Sequence, residues 1–385
     1  LMKYKKKIIN VFKPRFRSNE ILNDLQKIFK SGWTGIGNKT VIFEKEWEKY
    51  SGLKNSLFLN SATAGLHVAV DVLKLANNWN SKTEIITTPI SFVSTSHCIL
   101  YAGLKPVFCD IDDTGTLDPK KILNLINKNT KAIIFVGLGG SMGNLNKISS
   151  ICKRKNLKLI LDGAHMSGSF DTRKKHVGQE SDIAIFSFQA VKNLPTADAG
   201  IINFKNTSYY NLAKQLSWCG ISKNTFEREF KKNIKLQTWE YDVPYLGYKY
   251  NGNSVMALIA KISLKYLDKD NDIRRKISKI YEKKLKKNKK IFIVPHSKGS
   301  SRHLFSILVE NRKRLINYLK RHNINPGVHY KSILEFSFYK KNKFKSSRDM
   351  SVSKKFSNNI VSLPLHTFLE LKDINKICKL INGIT

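Results

Sequence analysis

KAIIFVGLGGSMGNLNKISSICKRKNLKLILDGAH, residues 131–165, decides the fold. Two short apolar runs, at its start and near its end, flank a segment whose apolar residues fall at helical spacing. A strand that is apolar at every position is buried on both faces, as in a parallel sheet. A helical crossover is what joins parallel neighbours. The same alternation continues outward. Upstream, SLFLN, EIITTP and KPVFCDID predict strands, and TAGLHVAVDVLKLANNW, SFVSTSHCILYAG and DPKKILNLINK predict helices. Downstream, SDIAIFSF and AGIINF predict two further strands. The expected class is α/β, a mostly parallel sheet covered by helices on both faces.

The pattern changes near residue 252. SVMALIAKISLKYLDK predicts one long helix, and basic helical sequence follows it. Then come IFIVP and RHLFSILVE, the helix RKRLINYLKRHN, the strand PGVHYKS and the terminal helix LKDINKICKLING. The expectation is a large domain over 1–251, with the N-terminal helices NEILNDLQKIFK and VIFEKEWEKYSG, and a smaller α+β domain over 252–385.

The 385 residues include 68 Lys and Arg against 29 Asp and Glu, a formal net charge of +39. Such an excess raises a nucleic-acid-binding reading. The basic residues are scattered, however, and Lys is accompanied by abundant Asn and Ile, the mark of a biased composition. The densest run, RRKISKIYEKKLKKNKK, keeps its apolar residues at helical intervals and lacks interleaved aromatic positions, so it reads as a solvated helix face. The five cysteines form no C-x-x-C pair and mostly sit in apolar runs, as buried reduced thiols do. No apolar run spans a bilayer, and LMKYKKKIIN lacks the features of a leader peptide. A cytoplasmic protein with no bound metal and no membrane or nucleic-acid partner is expected.

Ligands of parallel α/β sheets bind at the carboxyl ends of the strands. Four features fall there. NSATAG follows a strand and opens a helix, so Ser61, Thr63 and the amides of Ala62 and Ala64 form a cup for a phosphate, or an ordinary helix cap. Asp162 ends an apolar run; it suits a protonated heterocyclic nitrogen, or again a cap, and His165 follows three residues later. Phe92 in ISFVST offers a stacking face, or core packing. Lys192 lies in FSFQAVKNLPTADAG, five residues after Ser187, with no acidic neighbour. A lysine amine in a partly dry pocket loses proton affinity and forms Schiff bases with carbonyls. Together the four are the parts that a pyridoxal phosphate site needs.

These motifs resemble those of the DegT/DnrJ/EryC1/StrS sugar aminotransferases, fold-type I pyridoxal phosphate enzymes. The resemblance covers nearly the whole chain, from SGWTGIGNKTVIFEKEW through SATAGLHVA, TTPISFVSTSHCILYAGLKPVFCDID, LDGAH and the lysine motif to LGYKYNGNSVMALIA and SLPLH. It implies that pyridoxal 5'-phosphate is held by Lys192, which carries the proton in transfer, and by Asp162 at the ring nitrogen. Phe92 and His165 would contact the ring, and Thr63, Ala64 and Ser187 the phosphate. It implies a homodimer with shared sites, in which Asn251 reaches the partner's phosphate. Trp33, Thr34, Lys249, His329 and Tyr330 would lie near the substrate. The implied reaction moves an amino group from an amino acid, glutamate, to a nucleotide-linked keto-sugar for surface glycan or polysaccharide synthesis.

Three departures from the family pattern stand out. Gly137–Gly140 reads GLGG where many relatives carry His-Leu-Tyr-Gly, which removes two side chains near the cofactor. TADAG ends the lysine motif in place of a Gly-Glu-Gly-Gly ending, and NGNS replaces a commoner Met-containing pattern. The sugar dehydratases of the same family carry His in place of the lysine, so Lys192 argues for aminotransfer.

Overall fold

A computed structural model of the chain describes residues 7–222 and 241–384. The first six residues, part of the stretch read for a leader peptide, lie outside the described residues. The strands in chain order are β1 (Ile9–Asn10), β2 (Ser56–Leu59), β3 (Glu84–Thr87), β4 (Lys105–Phe108), β5 (Thr130–Val136), β6 (Lys158–Asp162), β7 (Ile183–Ser187), β8 (Gly200–Phe204), β9 (Phe292–Ile293), β10 (Phe305–Leu308), β11 (Ile324–Asn325) and β12 (Ile360–Leu363).

Seven of them form one sheet in the order β2-β8-β7-β6-β5-β3-β4. The β3–β4, β3–β5, β5–β6 and β6–β7 pairs are parallel, as expected. β8 runs antiparallel to both of its neighbours, β7 and β2. Side chains alternate between two apolar layers. Ile133, Phe135, Leu159, Leu161, Ala184 and Phe186 enter one layer, built around Phe43 and Trp47. Ala132, Ile134, Ile160, Ile183 and Ile185 enter the other, against Leu66, Val70 and Leu73 of the helix Ala62–Ala76. The period of two divides these all-apolar strands between both faces of the sheet.

The edge strand β2 is covered by the helix Asn38–Ser51. Glu44 accepts a hydrogen bond from the Phe58 N–H at 2.7 Å and Glu48 one from the Ser56 N–H at 3.0 Å. These carboxylates occupy donors that would otherwise invite another strand.

Three expectations change in detail. DPKKILNLINK is helical only over Pro119–Leu123; the chain then turns, with the Leu125 N–H donating to Ile122 O and Asn127 accepting from the Asn129 N–H. The long helix after residue 252 is two, Ser254–Leu264 and Leu267–Leu285. PGVHYKS is not a strand. β11 ends at Asn325, just before Pro326, and the segment leaves as a loop that carries His329 and Tyr330 to the cavity that Lys192 lines.

The second unit has an antiparallel sheet, β12-β10-β9, and a separate parallel pair, β1–β11. Its core joins Tyr281, Phe305, Leu319 and Ile377 with Ile9 from the other end of the chain. The helix Ser254–Leu264 instead buries Ala257 and Ala260 in the layer around Phe43 and Trp47. The basic run forms most of the helix Leu267–Leu285, which turns Ile277, Tyr281 and Leu285 inward at helical spacing. Four cysteines are buried; Cys219 is exposed, against expectation. Among the described residues, no helix is long and apolar enough to cross a membrane.

Candidate active site

A cavity of about 490 Å³ opens at the carboxyl ends of the parallel strands. The β7–β8 hairpin brings Lys192 to it. Ladder bonds continue past the strands, from Phe188 N to Ala199 O at 2.8 Å and from Ala190 N to Ala197 O at 3.0 Å. Lys192 sits in the turn beyond them, its own N–H bonded to Gln189 O at 2.8 Å. Burial lowers the amine pKa to about 8, and the attraction of Asp162 opposes that shift.

Asp162 ends β6 and lines the same cavity. Thr95 Oγ1 donates to its Oδ2 at 2.6 Å, and the Ala164 N–H donates to Oδ1 at 3.2 Å. Thr95 in turn accepts from Ser91 Oγ at 2.7 Å, since its only hydroxyl proton is committed to the carboxylate. Burial raises the Asp162 pKa; the two hydrogen bonds and Lys192 pull it back. No salt bridge among the described residues engages it. A buried carboxylate hydrogen-bonded only by neutral donors, with Lys192 acting on it through space, suits a protonated ring nitrogen.

Ser61, Ala62, Thr63 and Ser187 line the cavity beside the N-terminus of the helix Ala62–Ala76. Ser61 also caps that helix, accepting from the Ala64 N–H at 3.1 Å, as the helix-cap reading of this turn expects. The Ala64 amide is thereby engaged, and Ala64 does not line the cavity. Phe92 forms an open wall, 59% exposed, with its ring centroid 6.5 Å from that of Tyr330. An anion cradle, an unpaired carboxylate, an aromatic wall and an amine of lowered basicity fit pyridoxal phosphate in type and number.

His165 accepts from the Gly139 N–H at Nδ1, 3.2 Å away, and its Nε2 lies 3.2 Å from Tyr330 Oη. A backbone N–H only donates, so the ring proton of neutral His165 is on Nε2. Burial, then the charge of Lys192, hold its pKa well below the usual histidine range. His329 reaches the cavity with Nδ1 2.9 Å from Ser362 Oγ.

Trp33, Thr34, Lys249 and Asn251 do not line this chain's cavity. The Trp33 indole donates to Ile36 O, and Thr34 O accepts from the Ser254 N–H at 3.0 Å. Lys249 Nζ lies 3.2 Å from the Trp218 ring centroid. Asn251 Nδ2 donates to Gly252 O at 3.0 Å, while its buried Oδ1 has no partner among the described residues.

The GLGG departure leaves no simple vacancy. A Cβ on Gly137 would come within 1.9 Å of Met166 Sδ, so Met166 occupies that space. At Gly139, φ is +65° and a Cβ would meet the His296 ring at 2.9 Å.

Sequence reasoning missed Phe12, Ser91, Thr95, Asn193 and His303. A hydroxyl at the start of a helix and an Asn beside a lysine carry no distinctive local signal; distant partners give them their roles.

The chain belongs to the DegT/DnrJ/EryC1/StrS aminotransferase family, whose sequence model matches residues 16–382. It is 32% identical over 362 residues, 91% of each chain, to the UDP-4-amino-4,6-dideoxy-N-acetyl-beta-L-altrosamine transaminase of Campylobacter jejuni subsp. jejuni. It is 31% identical, over 97% of each chain, to the uncharacterized protein MJ1066 of Methanocaldococcus jannaschii. Among solved structures, Helicobacter pylori PseC, an aminotransferase involved in pseudaminic acid biosynthesis, superposes with a TM-score of 0.88 at 26% identity, covering 98% of this chain and 99% of that one. The PMP-form of the putative sugar aminotransferase Spr1654 from Streptococcus pneumoniae gives 0.88 at 26% identity, covering 97% and 98%.

Proposed function

We propose that the protein is a cytoplasmic homodimer that binds pyridoxal 5'-phosphate and moves an amino group from an amino acid, glutamate, to a nucleotide-linked keto-sugar for glycan precursor synthesis. The observation that carries this reading is the meeting of Lys192, Asp162 and the Ser61–Thr63 turn around one cavity. The sugar named for the Campylobacter relative supports the substrate class.

When bound, pyridoxal phosphate supplies an aldehyde that links to amines and a ring that takes up the electron pair released at the substrate carbon. The chain does the rest. Ser61, Thr63, Ser187 and the helix N-terminus hold the phosphate by hydrogen bonds and the helix dipole. Asp162, steadied by Thr95, keeps a proton on the ring nitrogen. Phe92, in the cavity wall, would offer its ring to one face of the cofactor ring.

Lys192 removes the proton from the donor carbon and returns it on the other side of the exchange. A pKa near 8 leaves its amine both basic and partly free at neutral pH. A positioned amine in this role contributes roughly 10²–10⁴-fold. Asn251 would complete the partner's phosphate site with the second N–H of its side-chain amide, the first donating to Gly252 O.

The test is optical and chemical. Protein incubated with pyridoxal phosphate should gain a visible absorbance band. Borohydride should bleach it and leave the added mass on the peptide containing Lys192. Lys192→Ala should stay folded and lose both the fixed mass and turnover. Borohydride-fixed cofactor on a different lysine, or full activity in Lys192→Ala, defeats the proposal.

A further inference from the structure

The residue after the lysine fixes a second histidine. Asn193 is buried, and its side-chain nitrogen donates to Ser301 O at 2.9 Å and to Asn271 Oδ1 at 2.7 Å. A backbone carbonyl only accepts, so the amide cannot be turned over. Its oxygen therefore faces His303 Nδ1, 2.9 Å away, and that nitrogen carries the ring proton. Burial first, and then the nearby His165 and Lys192, hold the His303 pKa well below the usual histidine range, so the ring is neutral.

The ring is held on both sides. It stacks on Phe12 with centroids 5.2 Å apart and planes 12° apart, and lies 4.4 Å from the His165 ring. The backbone is also pinned, with His303 N donating to Gly139 O at 2.9 Å. His303 is 3% exposed, and it lines the cavity. Its Nε2 has no hydrogen-bond partner among the described residues and carries a lone pair. The two histidines thus have opposite polarity: His165 presents an N–H at Nε2, and His303 presents an acceptor.

We propose that His303 Nε2 accepts a hydrogen bond from a hydroxyl of the sugar substrate and so takes part in choosing it, an inference that rests on the aminotransferase reading above. A neutral lone pair repels the carboxylates of glutamate, and its amino group is the one that links to the cofactor, so the amino-acid donor has no remaining group to donate to Nε2. A sugar ring carries hydroxyls that can donate. His303 thereby separates the two half-reactions that share the cavity.

Two variants divide the ring's roles. The amide nitrogen in His303→Asn sits near Nδ1 and keeps a donor for Asn193, but places nothing at Nε2. In His303→Gln the amide reaches the Nε2 position and can offer an acceptor there. Each is loaded with pyridoxal phosphate, and loss of the visible band is followed with two amino donors, L-glutamate and UDP-4-amino-4,6-dideoxy-N-acetyl-beta-L-altrosamine. In His303→Asn the apparent KM for the amino sugar should rise about tenfold, the worth of one hydrogen bond, with glutamate within about twofold of wild type. His303→Gln should recover part of the loss.

Equal effects on both donors, or none on the sugar, overturn the proposal. Nitrogen-15 spectra of histidine-labelled wild-type protein give an independent reading. A protonated Nδ1 and bare Nε2 at His303 are expected; a proton on Nε2 also overturns it. Failure of glutamate to bleach wild-type protein defeats the functional reading instead. Glutamate acting where this amino sugar does not leaves the nitrogen spectra to decide the acceptor.

Discussion

Thr95 and Asp162, 67 residues apart, share the shortest polar contact of the candidate site, a 2.6 Å hydrogen bond from the hydroxyl to Oδ2. Thr95 is fully buried, and nothing in the sequence near it suggests a partnership with a carboxylate. The bond favours the charged form of Asp162 against a burial that disfavours it.

Thr95→Val keeps the shape and removes that donor. The folded-state pKa of Asp162 should rise further, because a group that favours the carboxylate is gone. The acid limb of the pH–kcat/KM profile should then move up by about one pH unit, with kcat/KM at neutral pH down about tenfold. Thr95→Ser should restore most of both. An unmoved acid limb in the valine variant would show that Asp162 is held by other means.

Lys192 keeps an amine that titrates near 8 in the fold and near 10.5 in an unfolded chain. Below pH 8 both states are protonated, and the fold carries the full cost of burying the charge. Between pH 8 and 10.5 only the unfolded chain binds the proton, so stability rises with pH across that window. In the cofactor-free protein, Lys192→Met should therefore be more stable by about 2 kcal/mol at pH 7, discounted for the solvent that reaches the cavity. The advantage should shrink as pH climbs towards 10. Chemical denaturation of both proteins at several pH values checks it, and a variant that is less stable at pH 7 contradicts the burial argument.

Gly137 and Met166 compete for one space. Gly137→Ala should destabilise the protein by about 1–3 kcal/mol through overpacking. Met166→Ala alone should cost about 2–5 kcal/mol by leaving a cavity. Combined, the two should cost clearly less than their sum, since each relieves the other. Additive denaturation midpoints would mean that the sulfur moves aside without resistance.

Asn251 commits its side-chain nitrogen to Gly252 O, which leaves one amide N–H to donate, and it does not line its own chain's cavity. In a two-fold dimer with shared sites, Lys192→Ala and Asn251→Ala subunits should each be weak alone. Refolded together, half of the dimers are hybrids, and each hybrid has one site with both residues intact. Activity should recover to about a quarter of wild type. No recovery from a mixture shown to contain hybrids would place Asn251 outside the partner's site.

Much of the fold was legible because its signals are local. An all-apolar run such as LKLIL and the helical spacing of NKISSICKRKN report burial and period without reference to the rest of the chain. Lys192, Asp162, Thr63 and Phe92 could be placed together because strand ends of a parallel sheet converge on one edge. The break between Ser254–Leu264 and Leu267–Leu285 carried no Gly or Pro to announce it. The loop at His329 and Tyr330 looked like a strand because its residue types suit one.

The amino-acid sequence by itself determined the alternation of strands and helices and the chemical kinds of group at the strand ends, since both depend on neighbours along the chain. Tertiary structure alone decided that β8 returns antiparallel and so sets Lys192 in a hairpin turn. It also decided which proton sits on which histidine nitrogen. Those choices depend on groups such as Gly139, Asn193 and Ser301, which meet only when a packed core brings distant donors and acceptors within 3 Å or so of one another and leaves them no water to bond instead.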